Sequence, residues 1–261
     1  MTKVIAVVNQ KGGVAKTTTT INVGAGLAQH GRNVLLVDLD GQGNLTRGLN
    51  CVPKTREKFT IRDAMMLSKN NVLVDPRKGI QTNPIDHVDV MPANVDLLSF
   101  EYSIKDDPAA VTLLKSYMNK VRPLYDYILI DCSPSLGILT QNAFVAADSI
   151  MIPVDPEFFG VEGVKTITNT MLKFRKKLNP RLALEGIVIV RRNNVSYAKR
   201  DNAEALRRAF GDKVYKTELP SSVKASEAAE LGMSLLSYKP SNHLAKAYAS
   251  LVEEVLAHEQ Q

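Results

Sequence analysis

Residues 3–18 read KVIAVVNQKGGVAKTT, in which an apolar run is followed by a glycine loop and then by the start of a stretch with helical periodicity. This order is typical of a phosphate-binding loop, because glycine lets backbone N–H groups turn inward around an anion and the helix N-terminus adds positive potential. Lys16 can supply a mobile charge to the β- and γ-phosphates of a nucleotide, and the Thr17 hydroxyl can bind Mg²⁺. The alternative, a glycine turn beside a surface lysine, is disfavoured by the flanking strand and helix. The residues assigned to nucleotide binding in this loop are Lys11, Gly12, Gly13, Val14, Ala15, Lys16, Thr17 and Thr18.

The loop departs from the strict pattern G-x-x-x-x-G-K-[ST] at both glycines. Gln10 occupies the first glycine position and Ala15 occupies the second. The methyl group of Ala15 lies where glycine allows close approach of a phosphate, and if the position requires a positive φ it costs on the order of 1 kcal/mol.

Short apolar runs alternate along the chain with stretches of helical periodicity, which predicts a parallel sheet with crossover helices. The runs lack polar alternation and therefore favour strands that are covered on both faces. We predict an α/β fold, a single-domain P-loop fold over residues 1–261 with a mostly parallel twisted sheet and helices on both faces. The predicted strands are Val4–Val8, Val34–Val37, Tyr127–Ile130, Ser149–Val154, Leu184–Val190 and, more weakly, His87–Met91. The predicted helices are Lys16–Gln29, Pro108–Val121, Gly137–Ala146, Gly163–Leu178, Ala198–Phe210, Val223–Glu230 and Ser241–Ala257, with loops and small helices over residues 41–86.

The composition is that of an ordinary soluble globular protein. The 261 residues include 33 Lys+Arg and 27 Asp+Glu, and 44% are hydrophobic. Cys51 and Cys132 form no Cys-x-x-Cys pair, which excludes a disulfide framework and a cysteine metal cluster within one chain. No apolar run approaches the ~18 residues of a membrane span, so we expect a cytoplasmic protein without a membrane partner.

Positive charge is concentrated in residues 171–224, which hold 14 basic and 5 acidic residues, a net +9 against +6 for the whole chain. Such a segment favours a polyanion partner, most commonly nucleic acid. A set of solvated helix faces is an equally good interpretation of the charge alone.

Three aspartates follow or end predicted strands near the phosphate loop. Asp38 and Asp40 come at the end of one strand, and because successive side chains alternate, only one of them can face the phosphates. Asp131 ends another apolar strand, where the ligand sites of α/β sheets lie. A carboxylate in such a position can also simply cap the following loop.

Taken together, these segments resemble the ParA/MinD family of ATPases. Residues 11–18, KGGVAKTT, are similar to its deviant Walker A motif K-G-G-x-x-K-T-T, and residues 34–44 and 127–137 resemble its V-L-L-I-D-x-D-P-Q-G-N and I-I-D-x-P-P-x-L-G segments. Residues 153–163 and 215–228 match two later segments, P-x-x-x-E-x-x-x-x-E-G and T-x-I-P…E-A. The likeness runs nearly from end to end and is specific for the ParA branch, the DNA-partition ATPases.

The resemblance implies roles for individual residues and for the whole protein. It implies ATP and Mg²⁺ as cofactors and an ATP-sandwich homodimer, in which Lys11 reaches the phosphates of the other subunit while Lys16 acts in its own. It assigns Asp40 to the attacking water and to Mg²⁺, Thr17 and Asp131 to the metal site, and Pro220, weakly, to the adenine side. The catalytic set is therefore Lys11, Lys16 and Asp40. A centromere-binding ParB-type partner would stimulate a slow hydrolysis.

The sequence departs from this family at several positions. Gly41 replaces a proline, which is expected to loosen the loop after Asp40. Residues 221–224, SSVK, stand where many members read P-R-N-V-R, so only Lys224 keeps a charge, and residues 191–194, RRNN, differ from T-x-x-D at the adenine side. We expect no N-terminal helix-turn-helix domain, so DNA binding would be sequence-independent and the protein nucleoid-associated. The assigned DNA-binding residues are Arg191, Arg192, Lys199, Arg200 and Lys224.

Two other functions fit the same loop. A MinD-like positioning ATPase would end in a basic amphipathic helix, whereas residues 248–261 contain three glutamates and no lysine or arginine. The second is a nucleotide-gated DNA-binding protein in which Ala15 makes hydrolysis negligible, and the sequence is compatible with it.

Overall fold

The computed structural model describes residues 2–53, 59–70, 72–156, 160–191 and 197–258, with the backbone alone at residues 191 and 197–200. Its strands are β1 (Lys3–Val7), β2 (Val34–Leu39), β3 (Gln81–Asn83), β4 (Val88–Met91), β5 (Tyr127–Cys132), β6 (Ser149–Val154), β7 (Ala183–Arg191) and β8 (Val214–Pro220). Its α-helices are α1 (Lys16–Gln29), α2 (Asn44–Gly48), α3 (Ile61–Lys69), α4 (Asp96–Ile104), α5 (Leu113–Val121), α6 (Ile138–Ala146), α7 (Gly160–Lys177), α8 (Tyr197–Phe210), α9 (Lys224–Glu230), α10 (Leu235–Tyr238) and α11 (His243–Ala257).

One eight-stranded sheet carries the order β3-β4-β2-β5-β1-β6-β7-β8. Every neighbouring pair is parallel except β3 with β4, which is antiparallel at the edge. The strand β5 lies between β1 and β2 and pairs with both, so it is next to the strand that leads into the phosphate loop. The predicted α/β sheet is therefore confirmed.

Two hydrophobic clusters cover the two faces of the sheet, because alternate residues of each strand point to opposite sides. Val4 and Ala6 of β1 belong to one cluster, which includes residues of α3 to α8. Ile5 and Val7 belong to the other, which includes residues of α1, α9, α10 and α11. This arrangement explains why the central strands are apolar at most positions on both faces.

The structure differs from the prediction mainly at the sheet edges and in one connection. The strands β3 and β8 were not predicted, because QTN and VYKTELP are short or carry charged residues. The helix α4 was also missed, and the predicted helix Pro108–Val121 is a 3₁₀ turn over Pro108–Thr112 followed by α5. Within the described ranges, none of the helices is both long and apolar enough to cross a bilayer.

Candidate nucleotide site

A cavity of about 1090 Å³ opens at the carboxyl ends of β1, β2 and β5, next to the glycine loop. The register of the sheet places Val7 of β1 and Asp38 of β2 on either side of Asp131 of β5. Ligand sites of α/β proteins lie at this edge, where the strand order reverses. The loop residues that line the cavity are Gly12, Gly13, Ala15, Lys16, Thr17 and Thr18.

The backbone of the loop adopts the left-handed conformation just before α1. Ala15 has φ 61° and ψ 29°, and Gly13 has φ 71°. Residue 15 therefore has a positive φ, and an L-residue with a Cβ costs about 1 kcal/mol there relative to glycine. The sequence keeps alanine at a position whose backbone favours glycine.

Lys16 is directed back into the loop from the first turn of α1. Its Nζ donates to the carbonyl oxygen of Lys11 at 3.1 Å, and the residue is only 8% exposed. Burial lowers the pKa of the Lys16 ammonium, and the charge of Asp131 opposes that shift. A buried cation held next to loop N–H groups is suited to bind phosphate oxygens.

Asp131 and Thr17 form the second part of the site. The Thr17 hydroxyl donates to Oδ2 of Asp131 at 2.7 Å. The other oxygen, Oδ1, is buried and accepts no hydrogen bond from the residues that the structure describes. Burial, and then the charge of Asp38, raise the pKa of Asp131 to about 8. A buried carboxylate oxygen without a donor, next to a hydroxyl, fits a magnesium ion that is held through Thr17 and water.

The two aspartates at the end of β2 have different surroundings: Asp38 lies within the strand and Asp40 directly follows it. Asp38 is fully buried and accepts hydrogen bonds from the Thr46 N–H at 2.9 Å and the Thr46 hydroxyl at 2.7 Å, so it anchors α2. Asp40 lines the cavity, and its Oδ1 accepts from the Gln42 N–H at 2.9 Å. The carboxylate that the motif selects is therefore the one that faces the cavity.

Gly41 has a role that differs from the expected loosening of this loop. A Cβ built on Gly41 would lie 2.5 Å from Cγ of Leu98, so the absence of a side chain lets α4 pack directly on the loop. The loop is held by Leu98 rather than released.

Lys11 and Val14 do not line the large cavity. Lys11 is exposed, its backbone N–H donates to Oδ1 of Asn9 at 2.9 Å, and Val14 is buried. Both line a neighbouring cavity of about 340 Å³ between the loop and α7. Val14 can therefore meet a nucleotide in the large cavity only through its backbone.

Pro220 lines the same cavity as the phosphate loop, and its assignment to the adenine side stays a prediction. The sequence analysis did not identify the other residues that line the cavity near Pro220. The small residues of the segment SSVKASEAA, which follows Pro220, could have indicated a cavity at this position. These further lining residues include Ile21, Asn22, Leu219, Ser222, Ala225, Ala229, Met233, Leu235 and Tyr248.

The five basic residues assigned to DNA do not share one face of the sheet. The backbones of Lys199 and Arg200 lie in α8, whose Ala203 packs in the first hydrophobic cluster. Lys224 begins α9, which packs on the opposite face, and its Nζ donates to Glu227 at 2.7 Å. Arg191 ends β7, and Arg192 lies outside the described residues.

Comparisons with known proteins agree with this site. A family model described as an AAA domain matches residues 2–184. The sporulation initiation inhibitor protein Soj of Bacillus subtilis (strain 168) is 39% identical over 98% of this chain and 99% of its own length. The chromosome partitioning protein ParA of Caulobacter vibrioides (strain NA1000 / CB15N) is 38% identical over 98% of this chain and 95% of its own length.

A solved structure of similar fold is that of cobyrinic acid a,c-diamide synthase from Mycobacterium smegmatis with bound ADP and magnesium. It has a TM-score of 0.81 and 29% identity, covering 100% of this chain and 96% of that chain. The chain thus belongs to the ParA/Soj family of P-loop ATPases.

Proposed function

We propose that this protein is an ATP-dependent DNA-partition protein that binds ATP with Mg²⁺, dimerises when ATP is bound and hydrolyses it slowly. The proposal depends on the buried carboxylate of Asp131 beside the phosphate loop. Its Oδ2 accepts a hydrogen bond from the Thr17 hydroxyl, and its Oδ1 accepts none from the residues that the structure describes. The relative named for chromosome partitioning, the ParA of Caulobacter vibrioides, supports the biological role. A structural relative with ADP and magnesium supports the choice of nucleotide and metal.

Within one subunit, the residues divide the work between binding and positioning. The loop N–H groups and Lys16 bind the β- and γ-phosphates, and Thr17 and Asp131 hold the metal site. Mg²⁺, when bound, neutralises charge on the phosphate oxygens. Asp40, partly exposed at the cavity wall, orients the attacking water and contributes to the metal site. Pro220 lies at the base end.

The second subunit enters through Lys11. Its side chain is exposed outside the large cavity, on the loop that surrounds the phosphates, so it can reach a nucleotide bound to another molecule. A cation that is supplied only on dimerisation makes assembly depend on ATP.

The protein also binds DNA and a partner protein. DNA phosphates are bound, without reading of the bases, by Arg191, Arg192, Lys199, Arg200 and Lys224. A ParB-type partner stimulates turnover in a cytoplasmic, nucleoid-associated complex. The unit of function is a single domain over residues 1–261.

One structural observation bears on each of the two alternative functions, the MinD-like positioning ATPase and the nucleotide-gated DNA-binding protein. In α11 the apolar residues Tyr248, Leu251, Val252 and Val255 are buried against the sheet, which disfavours a MinD-like use of this helix at a membrane. The left-handed Ala15 favours the second alternative, a nucleotide-gated DNA-binding protein with negligible hydrolysis.

Size-exclusion chromatography with ADP, ATP and a slowly hydrolysed ATP analogue tests the proposal, together with ATP turnover measured with and without random duplex DNA. We expect dimers with ATP and the analogue but not with ADP, and turnover that is slow but measurable. Nucleotide-dependent dimers without any turnover would select the gated DNA-binding protein. A monomer in all three nucleotides would refute the ATP-sandwich model.

A further inference from the structure

Glu101 is a second carboxylate in the nucleotide cavity, and none of the sequence motifs pointed to it. It lies on α4 and lines the cavity with Asp40 and Ser133. Burial raises the pKa of Glu101, and the nearby charge of Asp40 raises it further. A partly buried acid that faces both another acid and an anion-binding loop is unfavourable by itself, because like charges destabilise each other. A specific contact is therefore expected to offset this unfavourable free energy.

That contact is with the start of α6. The backbone N–H of Leu139, in the first turn of α6, interacts with the Glu101 carboxylate and opposes the rise in its pKa. A Cβ built on Gly137 would lie 2.5 Å from Oε1 of Glu101, so the carboxylate occupies the space that a side chain at residue 137 would fill. Glu101 thus places a carboxylate at the N-terminus of α6 from another helix, where the helix dipole favours negative charge.

The segment that Glu101 holds belongs to the catalytic wall. Residues 133–137 follow directly after β5 and its Asp131, and Ser133 and Ser135 line the cavity. Within this segment the Gly137 N–H donates to Oγ of Ser135 at 3.3 Å, and the Thr140 hydroxyl donates to the Ser135 carbonyl at 2.7 Å. The position of the segment therefore follows the position of the N-terminus of α6.

The same helix also holds the opposite loop. Leu98, one turn before Glu101, fills the space beside Gly41, directly after Asp40. Each of the two loops that follow the acidic strand ends therefore has a glycine whose missing side chain is replaced by a residue of α4. This symmetry makes α4 a brace between the Asp40 loop and the Asp131 loop.

We propose that Glu101 is a positioning residue for ATP turnover, which fixes residues 133–137 and α6 relative to Asp40 through its contacts with Gly137 and Leu139. The inference rests on the proposed ATPase function. Glu101 should affect the rate of hydrolysis more than ATP affinity, because the groups that bind the phosphates belong to the glycine loop and to Lys16 of α1 rather than to α4. Small displacements of catalytic groups lower rates by up to about a hundredfold.

Gly137→Ala tests the contact without altering Glu101 itself. The backbone of Gly137, with φ −64° and ψ −176°, is one that alanine adopts, and the nearest obstacle is the movable end of the Glu101 side chain. The set is Gly137→Ala, Glu101→Ala, the double variant, and Glu101→Gln, which keeps an oxygen for the Leu139 N–H. Asp106→Asn, at an exposed carboxylate just beyond α4, is the matched control. Each full-length protein is assayed for kcat, for ATP affinity and for hydrogen exchange at the Leu139 amide.

We expect Gly137→Ala and Glu101→Ala each to lower kcat about tenfold with ATP affinity changed less than twofold, and the double variant to be no slower than either. Leu139 exchange should be faster in all three, whereas Glu101→Gln and Asp106→Asn should match the wild type. Wild-type kcat in Glu101→Ala, multiplied losses in the double variant, or a Glu101→Gln as slow as Glu101→Ala would overturn the inference. Unchanged Leu139 exchange in Glu101→Ala would also overturn it, whatever the turnover. Absence of ATP binding in the wild type would instead refute the proposed function.

Discussion

Replacing Asp131 with asparagine should stabilise the nucleotide-free protein while abolishing its magnesium-dependent response to ATP. Folding buries this carboxyl group, and its pKa rises from the ordinary 3.8 to about 8. The folded state therefore favours the protonated form, so the stability that this group contributes is complete below the unfolded pKa and is lost as the pH rises toward 8. Asparagine does not titrate, and its carbonyl oxygen can still accept from Thr17.

The magnitude follows from linkage, in which one pKa unit corresponds to about 1.4 kcal/mol. Between pH 5.5 and 7.5, the free energy of unfolding of Asp131→Asn should gain about 3 kcal/mol over that of the wild type. Urea unfolding at three pH values in this window, with EDTA and no nucleotide, measures the difference. Asp106→Asn, at an exposed carboxylate, provides the control and should show no comparable trend.

With ATP and Mg²⁺ the order should reverse, since the wild type gains stability from the bound ligands and the variant loses its metal-holding oxygen. Thermal unfolding should show a rise in Tm with ATP and Mg²⁺ for the wild type and little or none for Asp131→Asn. A stability difference that is constant from pH 5.5 to 7.5 would refute the burial argument. An equal magnesium-dependent rise in Tm for both proteins would refute the metal assignment.

Four further outcomes follow from the same site. Lys16→Ala should lose ATP affinity in an equilibrium titration, and wild-type affinity would contradict its phosphate role. Lys11→Ala should bind ATP yet fail to dimerise on size exclusion, because its charge acts on the other subunit's nucleotide; normal ATP-dependent dimers would exclude that role. Asp40→Ala should accumulate ATP-bound dimer with turnover lowered about a hundredfold or more, and unchanged turnover would mean that another group orients the water. Neutralising Lys199 or Lys224 should weaken binding to any duplex alike and lower the slope of log affinity against log salt by about one, while an unchanged slope would identify that residue as a solvated side chain.

The sequence alone predicted the central sheet and the phosphate loop, because both depend on local order. Apolar runs such as Val34–Val37 must be covered on both faces, and a strand, a glycine loop and a helix in direct succession leave little choice of geometry. The family motif then selected Asp40 over Asp38, and the structure places Asp40 alone of the two at the cavity.

Only the tertiary structure decided what depends on residues distant in the chain. The roles of Gly41 and Gly137 could not be predicted, since the side chains that fill their space, Leu98 and Glu101, come from a helix 36 to 57 residues away in sequence. The edge strand β8 carries charged residues that local patterning assigns to loops, yet pairing with β7 makes it a strand. The basic residues of 171–224 form one continuous segment in the sequence. In the fold, however, α8 and α9 of this segment pack on opposite faces of the sheet. Hydrophobic periodicity records which side of an element is buried, but the neighbour that buries it is determined by the packing of the whole chain.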